Sequence, residues 1–472
     1  MEKIKTTLQQ IWGYPDFRYP QAQIINSILK KQDTLVVMPT GGGKSLCFQL
    51  PALLQPGLTI VVSPLVALME NQVQQLQQKK IAASLIHSQQ TKSDRKITLS
   101  NLTRLKLLYV APETLLTPPI WEKLLQPDII INNLIIDEAH CIVQWGTTFR
   151  PSYTRLGAIR SALLKATQSH KITIAAFTAT AEHNTQQAII NSLRLQQPQK
   201  FILNPYRSNI HPFVKTVWTP KKRKQATVKF IQQHPQQSGL IYVRSRQASE
   251  TLASWLREQQ LNTVPYHAGT INSKRRAIER DWLRGKLPFV ICTCAFGMGI
   301  DKENCRWILH YHTPELLSEY IQEIGRSGRD NKPATALALV SESTGLLDRE
   351  DKQRSQFFNS QLAKQAQEAK KIFKILPSQG NILDVLQEFP DSNIALGILQ
   401  NLGLVYWQDP FNYKKKSATK KLNFLSPQQM QQFLRTKQCR WQFILSAFGF
   451  SKEAKDFYCA KCDRCLKNNS LK

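Results

Sequence analysis

No stretch of this chain reaches the roughly 18 consecutive apolar residues that a membrane-spanning helix requires, so no part of it is expected to cross a bilayer. The opening residues Met1-Glu2-Lys3-Ile4-Lys5-Thr6-Thr7 lack the apolar core of a secretory leader, which leaves the cytoplasm as the expected location. Acidic residues are scarce: 33 Asp and Glu stand against 63 Lys and Arg, a formal charge of +30. Such a field attracts phosphate backbones and releases their counterions. A solvated, self-repelling surface is the bland alternative, and charge alone does not separate DNA, RNA and anionic lipid. The runs Lys221-Lys222-Arg223-Lys224 and Lys414-Lys415-Lys416 contribute to the field. Of nine cysteines, Cys47, Cys141, Cys292, Cys294 and Cys305 lie in or beside apolar stretches, where a reducing compartment leaves them as small buried hydrophobes. A length of 472 residues is more than one core organises, so three or four units are expected.

Leu35-Val36-Val37-Met38 reads as a short buried strand, and Pro39-Thr40-Gly41-Gly42-Gly43-Lys44-Ser45 follows at once. Glycines let backbone amides turn inward around phosphates, Lys44 reaches the outer phosphates, and Ser45 offers a hydroxyl to magnesium. Met38 stands where the fullest form of this loop has its first glycine. Strand-like runs at 58–63, 107–110, 129–136 and 172–177 alternate with helical ones, which predicts a mainly parallel sheet covered on both faces. Ligand loops then gather at the carboxyl ends of the strands. Asp137 and Glu138 close one such run, in Asp137-Glu138-Ala139-His140. Asp137 is expected to hold magnesium and Glu138 to polarise the attacking water. The next residues put Trp145, Phe149 and Arg150 on a short loop beside these acids; bases stack on aromatics, and arginine pairs with phosphate.

A second α/β set spans 208–345, with strand-like runs at 239–243, 289–293 and 307–310 and no second phosphate loop. It carries Gln322-Glu323-Ile324-Gly325-Arg326-Ser327-Gly328-Arg329, a glycine-interleaved pair of arginines. Arg329 is expected to act as an arginine finger on a γ-phosphate, with Arg326 beside it; a surface salt-bridge pair is the alternative.

The last third begins as charged helix from about 342 to 374. Ile394, Ile398, Leu399 and Leu402 then recur at helical spacing before Gly403, a helix stop. Two strands around Gln408-Asp409-Pro410 follow, suggesting a winged-helix-like element over 376–416; a packed linker with an ordinary hairpin fits equally well. Cys439 precedes Cys459, Cys462 and Cys465, whose spacing suits a closed tetrahedral zinc site that leaves no position open for catalysis.

These residues resemble, in order, the motifs of RecQ-type DNA helicases of the second helicase superfamily, over residues 8–345 and again over 437–466. Trp12-Gly13-Tyr14-Pro15-Asp16-Phe17-Arg18-Tyr19-Pro20-Gln21 is similar to the adenine-recognition motif of that family, which implies that Tyr14 and Arg18 sandwich adenine while Gln21 bonds its edge. The resemblance implies an ATP site made by these residues with Thr40, Gly41, Gly42, Gly43, Lys44 and Ser45. It implies nucleic-acid contact or coupling at Ser63, Pro64, His140, Trp145, Phe149, Arg150, Thr178, Thr180, Ser245, Arg246, His267 and Gln322. The expected architecture is α/β: a RecA-like domain at 1–207, a second at 208–345, a helical linker with the winged-helix-like element at 346–430, and a zinc module at 431–472. ATP, Mg2+ and Zn2+ are the expected cofactors, single-stranded and duplex DNA the partners, with single-strand-binding or repair proteins as further candidates and a monomer as the expected state. The implied activity is 3′ to 5′ translocation that unwinds DNA in repair or recombination. An RNA helicase or a DNA-binding protein with a weakened motor is the alternative. The sequence departs from the family at Thr147 and Thr148, where His-Asp is usual, and at Ser208, where proline is usual. The chain ends at Lys472, seven residues past Cys465, where many relatives continue, so their substrates linked to that extension are not expected here.

Overall fold

The computed structural model describes residues 2–143, 150–167, 171–296, 300, 302–342, 344–416 and 428–469. These fall into two units: residues 1–38, 42–203 and 361–424, and residues 39–41, 204–360 and 425–472.

In the first unit, apolar runs form β1 (Thr34–Val37), β2 (Leu58–Val62), β3 (Ala83–Ile86), β4 (Leu107–Val110), β5 (Ile131–Ile136), β6 (Thr173–Thr178) and β7 (Gln199–Ile202). They pair in the order β3-β4-β2-β5-β6-β1-β7, parallel throughout. Leu35, Ile60, Leu134 and Ile174 face one core, and Val36, Val61, Ile135 and Phe177 face the other. Burial on both faces is why these strands read as unbroken apolar runs. The sequence reading missed β3 and β7, which are the two edges and only partly buried, so their apolar signal is weak. Phe48 on the helix Lys44–Leu54 meets Phe177 edge to face at 5.3 Å, which fixes the helix after β1 to the sheet.

The second unit contributes β8 (Ile210–Val217), β9 (Ser238–Tyr242), β10 (Thr263–Tyr266), β11 (Phe289–Cys292), β12 (Cys305–His310) and β13 (Ala334–Ser341), again parallel, in the order β10-β11-β9-β12-β13-β8. Strands β8 and β10 are the edges and carry Pro212 and Pro265, tolerable there because proline cannot donate to a central ladder. Those prolines, and the alanines of β13, hid all three strands from the sequence reading.

The charged helix starts later than expected, at Glu350, and runs to Ile375. Residues before it turn instead, because Glu342 accepts the backbone N–H groups of Thr344 at 2.6 Å and Leu347 at 3.1 Å, and Asp348 accepts that of Glu350 at 3.1 Å. After it come β14 (Gln379–Asn381), the helices Ile382–Glu388 and Ser392–Asn401, and the hairpin β15 (Val405–Trp407) and β16 (Asn412–Lys415). These strands form an antiparallel sheet in the order β14-β16-β15. The long helix, a strand, two helices and a hairpin thus follow one another in the order the winged-helix-like expectation required, which an ordinary packed hairpin also allows. The inward stripe differs from the expected one: Ile394 is exposed, and Ala395, Leu396, Ile398 and Leu399 are buried. Gly403, at φ +73°, ends the helix in a Schellman motif, with N–H bonds from Gly403 to Gln400 and from Leu404 to Leu399, both 2.8 Å.

Four helices, Gln428–Arg435, Arg440–Ala447, Ser451–Ala454 and Asp463–Asn469, complete the second unit. Trp441 anchors them to β8: its indole N–H donates to the Ile210 carbonyl at 3.0 Å, and its ring meets Tyr206 edge-on at 5.2 Å. Among the described residues no helix is long and apolar enough to cross a membrane.

Candidate active site and metal centre

Parallel pairing lines up the carboxyl ends of β2, β5, β6 and β1, so Ser63, Asp137, Thr178 and the glycine loop share one edge of the first sheet. Gly43, at φ +78°, starts the helix that carries Lys44 and Ser45, and a Cβ there would lie 2.4 Å from the Gln21 amide nitrogen. Gln21 ties two segments together: its Nε2 donates to the Gly42 carbonyl at 3.0 Å, and its Oε1 accepts the Arg18 N–H at 3.0 Å. Tyr14 and Arg18, the two residues expected to sandwich a base, are both exposed. Thr40 and Gly41 (φ +82°) lie in the loop, partly buried and exposed respectively.

The Lys44 ammonium is buried and makes no hydrogen bond among the described residues. A buried charge without a partner is costly, and an anionic ligand removes that cost. Ser45 Oγ accepts from Gln72 Nε2 at 2.9 Å, a support the sequence reading did not name. Asp137 accepts from Ser63 Oγ at 3.3 Å and from the Glu138 N–H at 3.0 Å. Burial pushes Asp137 up to about 6, the charge of Glu138 adds to this, and Lys44 pulls it back. Two buried acids beside a lysine suit a divalent cation, whose charge favours their ionised forms. Glu138 adopts a left-handed conformation at φ +48° and lies 3.2 Å from His140 Nδ1. The same nitrogen is 2.9 Å from Thr178 Oγ1, whose hydroxyl donates to the Thr180 carbonyl at 3.1 Å. Burial disfavours charge on His140, but Cys141 and Glu138 outweigh it and raise its pKa to about 10. A polar line thus runs from Glu138 to the end of β6.

Trp145, Phe149, Thr147 and Thr148 lie outside the described residues. Arg150 lies just beyond them: its N–H donates to the Cys141 carbonyl at 3.2 Å, and its guanidinium donates to the Pro64 carbonyl at 3.1 Å. Arg150 is therefore tied both to Cys141 and to the Ser63-Pro64 turn.

In the second unit, Gln322 is half-buried on the helix Leu317–Ile324, Arg326 is buried, and Arg329 donates to the Ile300 carbonyl at 3.2 Å. Gly328 holds this turn at φ +58°, and its carbonyl accepts from Arg207 at 2.5 Å and Asn209 at 2.7 Å. Ser245 caps the helix Arg246–Glu258, accepting the Ala248 N–H at 3.0 Å. His267 Nδ1 accepts the Gly269 N–H at 3.1 Å, which leaves Nε2 to donate to Glu250 at 3.0 Å. Sequence reasoning missed Glu323, which is gripped by Arg244 at 2.9 and 2.6 Å and by His310 at 2.8 Å. Burial raises its pKa, but Arg244 and His310 together outweigh burial and hold it at about 2.

Cys439 sits at the start of the helix Arg440–Ala447 and meets Cys459, Cys462 and Cys465, with all four sulfurs within 4.8 Å of one another. Cys459 and Cys465 are 3.8 Å apart, and Cys462 and Cys465 3.5 Å. A ZnS4 tetrahedron with bonds of about 2.3 Å places its sulfurs about 3.8 Å apart, whereas a disulfide bond is about 2.05 Å long. The backbone N–H groups of Cys459 and Arg440 donate to Cys439 and Cys462 sulfur, each at 3.4 Å, as thiolates require. Beneath them Arg440 grips Asp463 with two bonds of 2.9 Å. The residues fit a structural zinc.

Residues 18–218 match the DEAD/DEAH box helicase family, residues 222–331 the helicase conserved C-terminal domain, and residues 403–466 the RecQ zinc-binding family, a match that takes in the hairpin β15–β16. A solved structure of Mss116p bound to ssRNA and AMP-PNP shares the fold, at TM-score 0.61 and 18% identity over 87% of this chain and 89% of that one. Two RecA-like domains with a cysteine-built zinc module define the class. An ATP-dependent DNA helicase RecQ from Synechocystis sp. is 47% identical, covering 98% of both chains. Another of that name from Haemophilus influenzae is 40% identical over 70% of this chain, which spans 52% of it. The chain belongs to the RecQ family.

Proposed function

We propose that this chain hydrolyses ATP to unwind duplex DNA, moving 3′ to 5′ on a single strand, in repair or recombination. The observation that carries the reading is the buried Lys44 ammonium, without a hydrogen-bond partner among the described residues and with its charge felt by Asp137, with Glu138, His140 and Thr178 bonded in series beside them. In this reading Tyr14, Arg18 and Gln21 hold the base, and the loop from Thr40 to Ser45 holds the phosphates. Ser45 and Asp137 would hold magnesium, which would supply charge to the phosphate oxygens. Glu138 orients the attacking water. His140 and Thr178 connect that acid to Thr180, so a change at the strand ends is felt at the acid. Arg326 and Arg329 supply positive charge to the transferring phosphoryl group. Ser63, Pro64, Trp145, Phe149, Arg150, Ser245, Arg246, His267 and Gln322 contact DNA or report its presence. Zinc in the four-cysteine site has a structural role.

The +30 charge supports a DNA partner. The name of the Synechocystis relative and the zinc-binding match favour DNA over RNA. We place the chain in the cytoplasm on nucleoid DNA, acting as a monomer, with single-strand-binding or repair proteins as its partners. Strand separation on duplexes with a 3′ or a 5′ single-stranded tail tests the reading. ATP-dependent opening of the 3′-tailed substrate is expected; equal opening of the 5′-tailed one contradicts the polarity, and opening of neither contradicts the activity.

A further inference from the structure

Winged-helix proteins that read DNA present their last helix to a groove. Here the helix at that position, Ser392–Asn401, is turned into its own unit. Ala395, Leu396, Ile398 and Leu399 pack in one cluster with Ala158, the last residue of the 3₁₀ turn Pro151–Ala158. The hairpin is turned inward as well. Arg155 donates to the Pro410 carbonyl at 3.2 Å, Arg194 donates to the Trp407 carbonyl, and the Arg194 guanidinium lies 4.1 Å from the Tyr406 ring centroid. Phe411 meets Trp121 edge-on at 6.0 Å. One face of the helix and the hairpin residues Trp407, Pro410 and Phe411 are therefore packed against protein.

One bond from this element reaches the hydrolysis site's own segment. The Asn401 side-chain amide donates to the Ile142 carbonyl at 2.9 Å. Ile142 follows Cys141, whose carbonyl takes the Arg150 N–H, and Val143 N–H returns to the His140 carbonyl at 3.0 Å. Asn401 thus holds Ile142, two residues after His140 and next to Cys141, whose carbonyl Arg150 also meets.

We propose that the winged helix is a clamp on residues 139–143 and not a duplex reader, and that Asn401 is a positioning residue for DNA-stimulated hydrolysis. The inference rests on the helicase reading above. Its chemistry is simple: removing the amide donor frees the Ile142 carbonyl, and the segment carrying His140 loses a fixed point without any change to Lys44, Asp137 or Glu138.

The test uses full-length Asn401→Ala and Asn401→Asp, with hydrolysis measured with and without single-stranded DNA, affinity for a blunt duplex, and thermal melting. Expected is a fall of about fivefold in the DNA-stimulated kcat, with the basal rate, the KM for ATP and the duplex affinity unchanged. Asn401→Asp sets a carboxylate against the carbonyl and is expected to lose more than Asn401→Ala. Tyr406→Ala, which loosens the hairpin from a distance, should lose less. Full stimulation in both Asn401 variants overturns the proposal. So does an equal fall in basal and stimulated rates with a lower melting point, which marks a purely structural bond, or a loss of duplex affinity with stimulation kept, which marks a DNA reader. Wild-type chain whose hydrolysis ignores DNA refutes the helicase reading, and the clamp with it.

Discussion

The two units bury similar parallel sheets, yet they treat buried charge differently. In the second, Glu323 is met by Arg244 and His310, and a favourable pairing outweighs burial. In the first, the Lys44 ammonium is buried with no hydrogen-bond partner among the described residues, and Asp137 is pushed up to about 6 by burial. A network that serves the fold completes itself, whereas a site prepared for a ligand leaves the partner to come from outside.

The largest expected effect breaks this contrast on the ligand side. Lys44→Ala should lower ATP hydrolysis about a thousandfold while the melting temperature moves by no more than about 2 °C. A variant that melts far earlier would show that the ammonium supports the fold. On the other side, Arg244→Met leaves Glu323 buried with less compensation and should cost roughly 3 kcal/mol of stability, read from urea unfolding. Binding of a fluorescent ATP analogue to the folded variant is expected to persist. The sign with pH follows. Because the folded pKa of Glu323 lies below its ordinary value, its contribution is present above about pH 4.5 and is lost as pH falls toward about 2. Arg244→Met should flatten that acid limb; an unchanged limb would mean that Glu323 does not govern it. Smallest is Thr178→Val, which removes one of the two partners of His140 Nδ1 and should cut DNA-stimulated hydrolysis about tenfold with ATP affinity kept. Unchanged stimulation would show that the line from Glu138 to β6 is not used.

Legibility in the sequence followed burial. Central strands such as β1, β2 and β5 are covered on both faces and stand out as apolar runs. The edge strands β3, β7, β8 and β10 are half-exposed or broken by proline, and their place is set by pairing that no local pattern records. The glycine loop and the four cysteines were readable because their chemistry needs fixed spacing. Gln72, Arg244 and Asn401 were not, since each meets its partner across a long stretch of chain: Gln72 is 27 residues from Ser45, Arg244 is 79 from Glu323, and Asn401 is 259 from Ile142. The late start of the helix at Glu350 has a local cause, in the turns capped by Glu342 and Asp348, which charge counting does not see.

The most direct test is ATP hydrolysis by the full chain in magnesium, titrated with single-stranded DNA, beside Lys44→Ala. The account predicts a magnesium-dependent rate that rises at least about tenfold with DNA and is absent in the variant. A rate indifferent to DNA, or one that survives the loss of Lys44, would contradict it.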